Sequence, residues 1–203
     1  MNNLLSWQEY RTRVRKVSTR YVEQPAAQLL EKLGLSPNQL TIIGLLLSGA
    51  TAYLLANGQF VAGGILLMLA SALDMADGSL ARLQGRASDA GALLDSTADR
   101  VSEAVVFLGL LLFYINSSSL PEELLIFLAL ISSFMVSYLR ARGEGLGVDC
   151  KVGVMTRPER VVVLAAGLLI NQVVIALGII AVMAFLTALH RFWHIQNELS
   201  KRQ

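Results

Sequence analysis

A chain of 203 residues that is 54% hydrophobic, with mean hydropathy +0.55, carries more apolar surface than a soluble core of that size can hide, which excludes an ordinary water-soluble domain. The net charge is only +2, and the 17 Lys and Arg are spread along the chain instead of gathered on one soluble face, so no nucleic-acid partner is expected. The single cysteine, Cys150, excludes an internal disulfide and reads as a reduced thiol in a cytoplasmic loop.

The first element, over residues 1–34, reads as an amphipathic interfacial helix ahead of the membrane domain of residues 35–203. Trp7, Tyr10, Val14, Val17 and Tyr21 recur at helical spacing, while Arg11, Arg13, Arg15, Lys16 and Arg20 fill the remainder. The segment is charged and has no apolar run before Arg11, so a cleavable signal peptide is not expected. Pro25 kinks or ends the helix.

Six apolar segments follow, near 38–57, 60–81, 91–115, 121–141, 158–171 and 173–195, and the fold class is an all-α integral membrane protein with six spans. Breaks are expected at Asn57-Gly58, Ser117–Pro121, the glycine-rich run 143–153 and Asn171-Gln172. Lys and Arg fall in Arg11–Lys32, Arg82–Arg100, Arg140–Arg160 and Arg191–Arg202, whereas the intervening segments 57–59, 115–122 and 171–172 contain none. The bias of positive charge toward the cytoplasm then gives a multi-pass cell-membrane protein with both termini and the active site cytoplasmic.

The second and third spans carry the anomaly. Asp74 and Asp77 close the second at i,i+3, and Asp95 and Asp99 open the third at i,i+4, so each pair shares a helix face and the two pairs face each other across a hairpin. Carboxylates in an apolar setting are costly, and four together repel unless cations sit among them. Hard oxygen ligands select Mg²⁺, Mn²⁺ or Ca²⁺, and two divalent ions suit four carboxylates; such a pair can hold a pyrophosphate and stabilise a leaving phosphate. Gly78, Ala81 and Gly91 leave room for a base or phosphate to approach the backbone, and Arg82 adds forked donors for phosphate.

These residues form D-x-x-D-G-x-x-A-R, eight residues, then G-x-x-x-D-x-x-x-D. The run resembles the complete signature of the CDP-alcohol phosphatidyltransferase family, whose members are six-helix membrane proteins, commonly homodimers, with an amphipathic helix ahead of the first span. The resemblance implies that Asp74, Asp77 and Asp95 bind Mg²⁺ or Mn²⁺ and that Asp99 both meets the metal site and acts as the catalytic base. It also implies that Gly78, Ala81, Arg82, Ser88 and Gly91 line the CDP pocket, with Ser36, Pro37, Asn38 and Thr41 meeting the nucleotide from the other side. The implied reaction displaces CMP from a CDP-diacylglycerol or CDP-archaeol type lipid by an alcohol.

Toward the ends of the fourth to sixth spans lie Arg140, Arg142, Glu144, Lys151, Arg157, Glu159 and Arg160, a cationic cluster suited to a small acceptor that already bears a phosphate. The strings S-Y-L-R-A-R-G-E at 137–144 and R-P-E-R at 157–160 resemble segments of bacterial phosphatidylinositol phosphate synthases and archaeal archaetidylinositol phosphate synthases. That resemblance implies that Arg140 and Arg157 face inositol 1-phosphate; the basic residue of those synthases' last helix aligns with Ala188, and Arg191 lies three residues on. Arg160 and Arg191 complete the expected acceptor-phosphate set. The alternative within the family is a phosphatidylglycerophosphate synthase using glycerol 3-phosphate, and outside it a divalent-cation transporter, which predicts carboxylates spread along a path through the membrane. His190 and His194 read as border residues beside Trp193, and Glu122 and Glu123 as an outer helix N-terminus.

Overall fold

The described residues of the computed structural model are 27, 30–32, 34–85, 88–116 and 118–202, with the side chain of Arg82 outside them. The expected amphipathic stripe from Trp7 to Tyr21 also lies outside. Among the described residues six helices follow one another: α1 (Pro37–Ala56), α2 (Phe60–Leu83), α3 (Asp89–Asn116), α4 (Leu120–Gly145), α5 (Arg157–Leu169) and α6 (Val173–Ser200). No strand occurs among the described residues.

The helix starts follow from short-range chemistry. Ser36 and Gln39 close a reciprocal cap on α1: the Ser36 backbone N–H donates to Gln39 Oε1 at 2.8 Å, and the Gln39 N–H donates to Ser36 Oγ at 3.4 Å. Ser88 does the same work for α3, its Oγ accepting the Gly91 N–H at 3.1 Å. Glu122 and Glu123 occupy the first turn of α4, as expected, behind Pro121. At α5 the Thr156 N–H donates to Glu159 Oε2 at 3.0 Å.

Four helices, Pro37–Ala56, Phe60–Ala81, Leu120–Gly145 and Val173–Ser200, are long and apolar enough to cross a membrane. The other two fall short for different reasons. α3 spends its first turns on Asp89, Asp95, Asp99, Arg100 and Glu103, while α5 has 13 residues, about 20 Å of helix against a hydrocarbon core of about 30 Å. Large apolar side chains stand exposed along the helices, among them Tyr53, Leu124, Phe127, Val182 and Phe185. Facing water they would form an unfavourable patch; facing lipid they are the expected outer surface.

The chain divides into two compact units, one of residues up to Leu45 with Ala70–Asp99, the other of Leu46–Leu69 with Arg100–Gln203. In the first, Ala27, Leu40 and Leu80 pack together. In the second, Leu55, Leu67, Phe107, Leu110, Ile126, Leu168, Leu177 and Ile180 form the main apolar core. Helix approach there depends on absent side chains. A Cβ added at Gly109 of α3 would lie 2.4 Å from the Ala52 carbonyl oxygen of α1, nearer than real Cβ atoms come.

Candidate metal centre and basic region

In the first unit, the end of α2 and the start of α3 carry the acidic residues. Asp74, Asp77, Gly78 and Ala81 fall at i, i+3, i+4 and i+7, one face of α2. On α3, Asp95 and Asp99 are one turn apart. The outcome is a convergence of three: Asp74, Asp95 and Asp99, all half-buried, each offer a carboxylate oxygen, and these oxygens lie within 4.8 Å of one another. Two oxygens on opposite sides of a hard cation stand about 4.2 Å apart for magnesium and up to about 5.2 Å for calcium, so a spread of this size is in the range of hard-cation coordination. The rival expectation of cation conduction called for carboxylates dispersed through the membrane depth, and these are gathered.

Asp77 stands outside the trio. It is 4% exposed, and the Thr41 hydroxyl of α1 reaches its Oδ2 at 3.0 Å. Thr41 itself is buried and also lies 3.2 Å from the Pro37 carbonyl. Asp77 lies one turn from Asp74 on α2, so four carboxyl groups gather at this end of the two helices, a condition that favours a divalent cation. Of the residues expected to meet the nucleotide, Ser36 and Ser88 serve as the helix caps described above, Gly78, Ala81 and Gly91 are half-buried on α2 and α3, and Asn38 is exposed. Gly91 has a local reason for its size, since a Cβ there would come 3.2 Å from Ser88 Oγ.

The second unit holds Arg140, Arg157, Arg160 and Arg191, and it treats them one at a time. Arg160 of α5 is 2% exposed and makes a two-pronged pair with Glu103 of α3, Nε to Oε1 at 2.7 Å and Nη2 to Oε2 at 2.9 Å. Removing one partner of such a buried pair typically costs about 3–5 kcal/mol, because the other charge is left without compensation. Arg191 of α6, also 2% exposed, donates from Nε to the Val152 carbonyl at 2.9 Å and from Nη1 to the Val136 carbonyl at 2.6 Å. Arg140 is exposed and pairs with Glu144 one turn on. Arg157 opens α5 half-buried.

Helix α6 fastens the loop between α4 and α5. The Met155 N–H donates to Thr187 Oγ1 at 3.1 Å, Nε2 of His194 donates to the Asp149 carbonyl at 3.1 Å, and Arg202 donates to the carbonyls of Leu146 and Gly147. Thr187, Arg191 and His194 form one stripe of polar groups along the helix, and Arg202 follows just past its end. Gly153 takes φ +102° there, and a Cβ on it would meet Thr187 Cγ2 at 2.4 Å, so only glycine fits. Cys150 is buried in the same loop; burial pushes its thiol up, against the opposing pull of Arg191.

Residues 34–193 match the family model described as CDP-alcohol phosphatidyltransferase. The chain belongs to this family. It is 36% identical over 182 residues to an archaetidylinositol phosphate synthase of Pyrococcus horikoshii, covering 88% of this chain and 94% of that relative. It is 35% identical over 150 residues to a phosphatidylinositol phosphate synthase of Corynebacterium glutamicum, covering 72% and 68%. Among solved structures it is similar to Mycobacterium tuberculosis phosphatidylinositol phosphate synthase with CDP-DAG bound, at TM-score 0.79 and 30% identity over 86% of this chain and 93% of that one. A second structure of that synthase, in complex with manganese and citrate, matches at TM-score 0.78, with 86% and 89% covered. This CDP-alcohol phosphatidyltransferase is therefore a membrane-embedded enzyme of phospholipid synthesis, transferring a phosphatidyl-type group from a CDP-linked lipid to an alcohol with release of CMP. A divalent cation is its cofactor.

One residue of this region escaped the sequence reading. Glu103 lies four residues beyond Asp99, the last acid before an apolar run to Asn116. An isolated carboxylate at that place was the available signal that a buried basic partner existed.

Proposed function

We propose that this transferase uses inositol 1-phosphate, or a closely related phosphorylated alcohol, as its acceptor, and that Asp74, Asp77, Asp95 and Asp99 hold two Mg²⁺ or Mn²⁺ ions with Asp99 also the base. The observation that carries the reading is the convergence of the Asp74, Asp95 and Asp99 oxygens at one place on two helices. Two bound divalent cations would neutralise the pyrophosphate and the departing CMP. Asp99 takes the acceptor's hydroxyl proton as the oxygen forms its bond to the lipid-side phosphorus and the bond to CMP breaks. Thr41 fixes the orientation of the Asp77 carboxylate. Gly78, Ala81 and Gly91 leave the backbone open to the nucleotide, Arg82 adds a cation for its phosphates, and Ser36, Pro37, Asn38 and Ser88 shape the helix starts around it. No covalent intermediate on the enzyme is needed, because positioning and electrostatic stabilisation carry such a transfer.

Arg140 and Arg157 are the acceptor-phosphate ligands of this proposal, since the pairing of Arg140 with Glu144 is exposed and easily exchanged. Arg160 and Arg191 belong to the same region with their guanidinium groups already engaged. Six spans, with α3 and α5 crossing beside the four more apolar helices, an interfacial helix over 1–34, a membrane domain over 35–203, cytoplasmic termini and active site, and a homodimer complete the proposal. The segregation of Lys and Arg supports the orientation. The donor is a CDP-diacylglycerol or its ether-linked CDP-archaeol counterpart.

The test is CMP release from each CDP-lipid in detergent, with inositol 1-phosphate, glycerol 3-phosphate, free inositol and serine offered in parallel. Turnover with inositol 1-phosphate alone is the expected result. Preference for glycerol 3-phosphate would replace the acceptor, and preference for free inositol or serine would remove the phosphate-binding role of the arginines.

A further inference from the structure

Asp95, Asp99 and Glu103 stand at i, i+4 and i+8 on α3, so they share one face of a single helix. The last of the three is gripped: both Glu103 oxygens accept from the Arg160 guanidinium, and the side chains are 11% and 2% exposed. Arg160 Nη1 also lies 3.4 Å from the Met155 carbonyl. A planar fork on a planar carboxylate fixes angle as well as distance, which a point charge such as an ammonium does not. A rotation of α3 by about 10° would move a carboxylate at about 6 Å from the helix axis by about 1 Å, and displacements of that size cost about 100-fold in rate when they misplace a reacting group.

We propose that the Glu103–Arg160 pair is a positioning device that sets the rotation of α3, and through it the placement of Asp95 and Asp99, and that Arg160 is not a ligand of the acceptor phosphate. The inference rests on the proposed role of Asp99. The Arg160 guanidinium is committed to Glu103, so the phosphate of the acceptor falls to other cations.

The test uses the full-length enzyme in detergent and compares Arg160→Lys, Glu103→Gln and the double variant Glu103→Met/Arg160→Met, which restores apolar packing without the directional pair. Steady-state CMP release, thermal unfolding and Mn²⁺ binding by electron paramagnetic resonance are measured for each. Arg160→Lys should lower kcat by about tenfold or more, weaken Mn²⁺ binding several-fold and leave the acceptor KM within about twofold. The double variant should recover thermal stability without recovering kcat. An acceptor KM raised about tenfold or more at unchanged kcat would overturn the proposal by making Arg160 an acceptor ligand. Full kcat and Mn²⁺ affinity in the folded double variant would overturn it by making the pair structural only. If Arg160→Lys fails to fold, the double variant alone decides. Asp99→Asn is run alongside: full turnover there removes the base assignment, whereas loss of turnover there with an unaffected pair variant removes only the positioning device.

Discussion

The acidic and basic regions of this transferase are organised on opposite principles. At the α2–α3 end, like charges are brought together: three carboxylates offer oxygens within 4.8 Å, and a fourth is buried nearby. In the second unit, cations are separated and given protein partners of their own, Glu103 for Arg160, two carbonyls for Arg191, Glu144 for Arg140. Gathered anions gain nothing from one another, so their convergence points to an external cation. Dispersed cations are partly accounted for by the fold itself, and a count of arginines overstates how many remain to meet substrate.

This contrast is open to direct attack, beginning where the effect is largest. Chelation by EDTA should bring CMP release to the detection limit, and added Mg²⁺ or Mn²⁺ should restore it; residual turnover in chelator would break the acidic half. Next, Asp99→Asn should lower kcat by about 10²–10⁴-fold while CDP-lipid binding, followed by equilibrium titration, persists. Arg157→Ala should raise the KM for the phosphorylated acceptor by about 10–100-fold, the value of a charge-assisted hydrogen bond; an unchanged KM would remove it from the acceptor pocket. Thr41→Val, which deletes the donor to Asp77, should cost about fivefold in turnover, the equivalent of one ordinary hydrogen bond. The smallest response belongs to thermal stability in Arg140→Ala, within about 1 kcal/mol because its ion pair is exposed. A loss there as large as that from breaking the Glu103–Arg160 pair would erase the distinction between exposed and buried cations.

Much of this was legible in the sequence, for identifiable reasons. The helices follow their apolar runs: expected spans of 38–57 and 60–81 compare with Pro37–Ala56 and Phe60–Leu83. The aspartates were visible because carboxylates are rare in such surroundings and their spacing is local. Two kinds of feature were not. Ser36 and Ser88 cap helices, a role the sequence states only through S-x-x-Q at 36–39. The Glu103–Arg160 pair joins residues 57 positions apart, and no local pattern encodes that separation. Arg191 is evident in the sequence as a charge, whereas the carbonyls that meet it are present at every position and carry no sequence mark.

Backbone recognition shapes how the α4–α5 loop can change over time. Arg191, His194 and Arg202 recognise it through the main-chain oxygens of Val152, Asp149, Leu146 and Gly147. A loop gripped by its backbone keeps its path while many of its side chains are exchanged. Drift is therefore expected at exposed positions such as Asp149 and Lys151, and little at Gly153, where an added methyl would strike Thr187. Selection on acceptor chemistry could thus rewrite the surface of this loop without rebuilding its frame.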